Sequence, residues 1–254
     1  MLKKRIIPIQ LLMEGRLVKT RKFDNWRDVG DPVKSSAVYN SQYADELIFL
    51  NISRKSRSIA DLKKIILEVS KVSFMPISMG GGIQTAADAA ELILTGADKV
   101  VVNSCAYHNL DVITATAETF GAQAVVVGID VRYDEEAGDY RLYSDCGERY
   151  RPVSLESHIG AVIAAGAGEI MIQSIDRDGM MAGYDIDLIK RVAKASTIPV
   201  IAAGGSGNYE HLKDVFLEGE VSAAACGSLF NFSDSNPIRA KAFLSNYGLP
   251  FKVV

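Results

Sequence analysis

With 254 residues, 48% of them hydrophobic and 23% charged, the chain is the size of one α/β barrel and carries enough apolar residues for a large core. A formal net charge of −3 with no basic block argues against nucleic acid or an anionic membrane as partner. No apolar run reaches the roughly 18 residues of a membrane span, and three cysteines (Cys105, Cys146, Cys226) without metal-type spacing argue against a disulfide framework or a metal site.

The amino terminus, MLKKRIIPI, passes from two lysines directly into a strand-like run, without the long apolar stretch and small-residue cleavage site of a signal peptide. The expectation is a reduced, cytoplasmic setting. In chain order, strands are predicted over 5–12 (RIIPIQLL), 46–52 (ELIFLNI), 76–80 (PISMG), 99–103 (KVVVN), 124–131 (AVVVGIDV), 169–175 (EIMIQSI), 199–203 (PVIAA) and 222–227 (SAAACG). Apolar strands separated by amphipathic helical patterns mark a parallel sheet buried on both faces. Eight such units predict a (β/α)8 TIM barrel, with a doubly wound open sheet as the alternative.

Two stretches exceed what a barrel needs: 13–30 after the first strand and 132–153 after the fifth. Both leave the carboxyl ends of strands, where barrel sites lie. The first carries Arg16, Lys19, Arg21, Lys22 and Arg27, which predicts a mobile basic lid over an anionic ligand, the alternative being a decorated surface loop. Trp26 in the same stretch either covers a ligand or anchors the loop.

The pattern also repeats. Residues 76–104 align with 199–228, and 45–53 with 168–176, both at an offset of 123 (199 against 76, 168 against 45), with one extra residue late in the first pair. The expectation is a single domain over 1–254 made of two half-barrels, about 1–122 and 123–254.

Gly80-Gly81-Gly82 closes the third strand and Asn103-Ser104 the fourth; Gly204-Gly205 closes the seventh and Gly227-Ser228 the eighth. Bare glycine backbone lets an anion approach exposed N–H groups. A lone Gly-Gly is weak, but two copies, each with a hydroxyl one strand later, predict two phosphate sites at Gly82, Asn103 and Ser104 and at Gly205, Gly227 and Ser228. The implied ligand has a phosphate at each end, or is an anionic sugar of similar length. Asp130 ends the fifth strand at the same mouth, and Asp176 and Asp178 follow the sixth; a carboxylate there suits general acid or base work, and helix capping is the alternative. Arg5, Glu46, Lys99 and Glu169 begin strands at the opposite end, two cations and two anions that either form a balanced polar layer or are ordinary solvated charges. His108, His158 and His211 match no triad or metal spacing, and neither a cofactor nor a metal is expected.

Across nearly the whole chain, KRIIPI, GDPV, DELIFLNI, GGGI, GADKVVVNS, FGAQAVVVGIDV, GAGEI, SIDRDG, GYD and GGSG together resemble the cyclase subunit of imidazole glycerol phosphate synthase, a lyase of the histidine-biosynthesis barrel family. The resemblance implies a partner glutaminase in a heterodimer, ammonia passing through the barrel to a bisphosphate, and two catalytic aspartates, on the first and fifth strands. It also implies that Arg5, Glu46, Lys99 and Glu169 are a charged ammonia gate and that Asp98 touches the glutaminase. The chain departs from the pattern at the first strand, where IQLLMEG stands for a motif like CLDVKDG and Leu11 occupies the aspartate position, and at the second, where Asn51 replaces an aspartate.

A kept gate with a broken acid–base pair resembles the divergent branch associated with glycosyl amidation in surface-polysaccharide (lipopolysaccharide O-antigen) synthesis. There the barrel and its glutaminase supply ammonia to a separate sugar amidotransferase. The alternatives are an active histidine-pathway cyclase that recruits Asp176 or Asp178, and a non-catalytic barrel that activates or scaffolds the glutaminase.

Overall fold

The computed structural model describes residues 3–54 and 58–252; the ends of the 1–254 span and residues 55–57 lie outside the described residues. Strand β1 (Arg5–Met13) continues into an antiparallel hairpin, β2 (Arg16–Arg21) and β3 (Asp24–Gly30), and is followed by α1 (Pro32–Ser41), β4 (Leu47–Asn51), α2 (Ile59–Val69), β5 (Ile77–Gly80), α3 (Ala86–Thr95), β6 (Lys99–Val102) and α4 (Asp111–Phe120). Strand β7 (Val125–Asp134) again continues into antiparallel strands, β8 (Asp139–Ser144) and β9 (Arg149–Arg151). Then come α5 (Leu155–Ala164), β10 (Glu169–Ser174), α6 (Ile186–Ala195), β11 (Val200–Ala203), α7 (Tyr209–Leu217), β12 (Ala223–Cys226), α8 (Ser228–Phe232) and α9 (Pro237–Ser245).

Eight strands pair in parallel in the order β1, β4, β5, β6, β7, β10, β11, β12, and the last returns to the first with Arg5 opposite Ala223. That closure establishes the (β/α)8 barrel and rules out the open sheet. Each predicted barrel strand is present to within a few residues. The stretches 13–30 and 132–153 are not irregular loops: each is an antiparallel extension of its strand, with Leu11 opposite Val18 and Asp130 opposite Tyr143.

Strand alternation decides what faces inward. On β1, Ile7, Ile9 and Leu11 join Ile48, Val101, Val126, Met171, Ile201, Ala203, Ala223 and Ala225 in one buried cluster, the barrel interior. Ile6, Leu12, Phe49, Val125, Val127 and Ile129 belong to the larger cluster between strands and helices. Fully burying a side chain of this size contributes about 1.5–3 kcal/mol before ordering costs. Helices start where short polar residues satisfy free N–H groups. Asp31 accepts from the Lys34 N–H ahead of Pro32, and Thr85 and Asp88 form a reciprocal capping box on α3. The described residues include no helix long and apolar enough to cross a membrane.

Candidate functional site at the two ends of the barrel

The same alternation carries polar residues to each end of the interior. At the amino-terminal floor the first inward positions of β1 and β10 are Arg5 and Glu169, those leading into β4 and starting β6 are Glu46 and Lys99, and the four close a ring. Arg5 Nη1 lies 2.5 Å from Glu46 Oε1 and Arg5 Nη2 2.9 Å from Glu169 Oε2; Lys99 Nζ lies 3.0 Å from Glu46 Oε2 and 2.7 Å from Glu169 Oε1. Both glutamates are buried. Burial by itself pushes the Glu169 carboxyl up, but its hydrogen bond and charge contact with Arg5, together with Lys99, outweigh that and hold it below its ordinary range. Burial likewise opposes the Arg5 charge and is outweighed by the two carboxylates. Asp98 is exposed beside this ring, and its carboxylate accepts from the Ile77 N–H at 2.8 Å, so it also ties the start of β6 to β5.

At the carboxyl-terminal mouth two cavities lie side by side, and a third of about 190 Å³, lined by Lys19, Thr20, Arg21, Arg27 and Gly179, adjoins the second. The larger, about 470 Å³, is lined by Gly81, Gly82, Asn103, Ser104, Asn51, Leu50, Leu11 and Asp130. Gly81 has φ +93°, and a Cβ there would stand 2.1 Å from the Asn51 carbonyl oxygen, so any side chain at this turn would clash with backbone. The Asp130 carboxylate accepts from Asn103 Nδ2 at 2.8 Å. Burial pushes its carboxyl up to about 7, against the Asn103 hydrogen bond, and Asp178 adds to the rise. The inward residue at the top of β4 is Leu50, next to Leu11, while Asn51 caps the following turn by accepting from the Ser53 N–H at 3.0 Å.

The smaller cavity, about 30 Å³, is lined by Gly204, Gly205, Gly227, Ser228, Lys19 and Asp178. Gly205, at φ +114°, lies so close to Gly183 that a Cβ would be 2.1 Å from its carbonyl oxygen. Lys19 was expected in a mobile basic lid over an anionic ligand; β2 places it beside the second glycine turn. It is buried, donates to the Ile9 carbonyl oxygen, and burial, partly offset by the Asp178 charge, lowers its ammonium to about 8. Asp178 holds this hairpin in place, accepting from Thr20 Oγ1 at 2.6 Å and from the Phe23 N–H at 3.2 Å. Asp176 accepts from the Tyr133 N–H at 2.9 Å and sits 3.8 Å from Arg132.

Sequence reasoning missed Arg54, Arg149 and Arg151, which also line the larger cavity. The signal was there: 149 and 151 are alternate residues, which a strand places on one face. Of the histidines, His108 lines that cavity, His158 is buried in a stack on Tyr107 with ring centroids 4.1 Å apart, and His211 accepts from the Gly207 N–H. Trp26 is exposed on β3.

Asp130 offers a pH test. Its folded carboxyl titrates near 7 against an ordinary 3.8, so the folded state keeps a proton that the unfolded chain has released. Stability then falls as pH rises from about 4 to about 7. Asp130→Asn is expected to raise the melting temperature more at pH 8 than at pH 5. Equal gains at both values would show that the carboxyl is not strained by burial.

A closed parallel barrel with an ionic ring at its floor and glycine-rich turns at its mouth defines a (β/α)8-barrel protein whose candidate site lies at the carboxyl ends of its strands. The family model described as histidine biosynthesis protein matches residues 5–236. The chain is 39% identical over 253 residues to an imidazole glycerol phosphate synthase subunit HisF from Caulobacter vibrioides, spanning 100% of this chain and 97% of the relative. It is 37% identical over 249 residues to the HisF subunit of Bacillus subtilis, spanning 98% and 99%, and 39% identical over 249 residues to that of Lactiplantibacillus plantarum. The chain belongs to the histidine biosynthesis protein family, among its HisF-like cyclase subunits.

Proposed function

We propose that this chain is the barrel subunit of a glutamine amidotransferase complex, receiving ammonia from a class I glutaminase at its floor and passing it to the mouth. Cyclase chemistry is reduced or lost, and the ammonia serves a sugar amidotransferase of surface-polysaccharide synthesis. The carrying observation is the contrast between the two ends: a complete four-charge ring at the floor and Leu11 beside Leu50 where the family resemblance calls for a carboxylate at the mouth. Between them the interior is apolar, a medium that accepts neutral ammonia far better than ammonium. The phosphate-binding roles of the two glycine cradles, the half-barrel origin of the domain and the contact of Asp98 with the glutaminase are part of the same reading.

The second reading, an active histidine-pathway cyclase, is favoured by the HisF names of the relatives. It needs an acid to replace Leu11, and the two candidates are committed elsewhere, Asp178 to the β2–β3 hairpin and Asp176 to Tyr133 and Arg132. Complementation separates the readings. A strain lacking the histidine-pathway cyclase is expected to remain a histidine auxotroph when it expresses this chain, while the purified chain still forms a complex with a class I glutaminase of the same organism. Growth without histidine at normal expression would establish the second reading; failure to bind any such glutaminase would remove the first.

A further inference from the structure

We propose that the ligand's anionic end at the second glycine turn is a diphosphate rather than a single phosphate. The inner phosphate lies at Gly205, Gly227 and Ser228, and the outer one in the adjoining cavity under the β2–β3 hairpin. The inference rests on the reading of the second turn as a phosphate site, and it extends the ligand beyond that site.

Space comes first. The outer cavity holds about 190 Å³, far more than the roughly 10–15 Å³ that one water occupies. Lys19, Thr20 and Gly179 border this cavity and the one at the second turn alike, so the two meet along a shared edge. Gly179 has φ +68°, and a Cβ there would stand 2.0 Å from the Thr20 carbonyl oxygen. Bare backbone is what brings the segment after β10 this close to the hairpin. Two phosphates joined through one oxygen are the simplest group that occupies both cavities.

Charge points the same way. Lys19, Arg21 and Arg27 line the outer cavity, and among the described residues no Asp or Glu does. Lys19 stands directly opposite Arg27 across the hairpin, and like charges so placed destabilise a strand pair until an anion offsets them. The chain supplies none. Arg21 and Arg27 make no side-chain hydrogen bond or ion pair among the described residues, even though Asp24 stands opposite Arg21. On the same hairpin Arg16 is paired with Asp28 at 2.9 Å. Asp178, whose charge acts on Lys19, borders the second turn and not the outer cavity. Around the larger cavity, by contrast, Asp130 and Asp145 stand among the arginines. A cleft of one sign concentrates counter-ions, and the planar fork of a guanidinium matches phosphate oxygens.

The test is calorimetric titration of the full chain with inorganic phosphate and with pyrophosphate at constant ionic strength. Pyrophosphate is expected to bind about tenfold or more tighter. Arg21→Ala and Arg27→Ala are each expected to remove most of that gain and to leave phosphate binding little changed, whereas Ser228→Ala weakens both probes. Arg16→Ala takes the same charge from the same hairpin and is expected to change neither. Both outer arginines are exposed, so their variants are expected to melt like wild type; thermal melting verifies this, and either variant alone decides the outcome. No gain for pyrophosphate in wild type, a gain kept in both arginine variants, or a gain lost equally in Arg16→Ala or Arg149→Ala would each overturn this inference alone. If Ser228→Ala leaves phosphate binding unchanged, or neither probe binds, the reading of the second turn as a phosphate site fails with it.

Discussion

Given ammonia and the bisphosphate substrate of the histidine-pathway cyclase, this barrel is expected to turn over about 10²–10⁴-fold more slowly than a relative with an aspartate at the top of its first strand. That factor corresponds to roughly 3–5 kcal/mol of barrier. Proton transfer in both directions needs two groups, and of the two strand-end positions that the family resemblance calls for only Asp130 carries a carboxyl, the other being Leu11. Leu11 cannot carry a proton, and the nearby polar groups that could support a new acid, Thr20 and Gln173, already donate to Asp178. Leu11→Asp alone is therefore expected to recover little. It would place a carboxylate among Ile9, Val18 and Leu50, where burial disfavours the charged form that a base requires. Adding Asn51→Asp is expected to recover more, because the two positions changed together. Steady-state turnover of wild type, the single variant and the double variant, beside an active relative, decides the matter. A wild-type rate equal to the relative's would show that a different acid has been recruited.

Breaking the floor ring is expected to have the second largest effect, and to separate structure from transport. Glu46→Ala leaves Arg5 and Lys99 sharing Glu169 at a half-buried site. Orphaning one member of a buried ion pair costs about 3–5 kcal/mol, whereas at a solvated surface it costs under about 1 kcal/mol. The ring's geometry, closed on four contacts with both carboxylates buried, places the expected loss toward the larger figure. Urea denaturation of Glu46→Ala at pH 7 measures it, and a loss under about 1 kcal/mol would make the ring an ordinary surface cluster. The pH dependence has a definite sign. The Glu169 carboxyl is held below its ordinary 4.5, so its contribution is present above that value and fades as pH falls through the lower folded value.

Lys99→Ala keeps the Arg5 contacts and is expected to leave the barrel folded. With the glutaminase and the ammonia acceptor present, it is expected to raise the ratio of glutamate formed to product amidated, the excess escaping as free ammonia. If that ratio and the affinity for the glutaminase are unchanged in both Lys99→Ala and Glu169→Ala, the ring is not a gate.

Much of this molecule follows from local chemistry alone. A strand's side chains alternate and a helix's repeat every three to four residues, so the pattern of apolar residues places the barrel strands and states which positions on β1 face inward. The glycine pairs mark turns where a side chain would strike backbone, as Gly81 and Gly205 do, and charges at strand starts all fall at one end of a parallel barrel. The absence of a carboxylate at Leu11 is likewise visible in the sequence, since a missing proton carrier needs no structure to be noticed.

What only the tertiary structure decided is which distant groups meet. Arg5 and Glu169 are 164 positions apart, and their contact depends on the closure of the whole sheet. Lys19 lies in a basic run that looks solvated, yet the pairing of β2 with β1 turns it into the second cradle. Asp178 resembles a free acid after a strand, yet Thr20 and Phe23 from the hairpin claim its oxygens. In each case the deciding term is the filling of one shared space by segments far apart in the chain, and a local pattern holds no record of that competition.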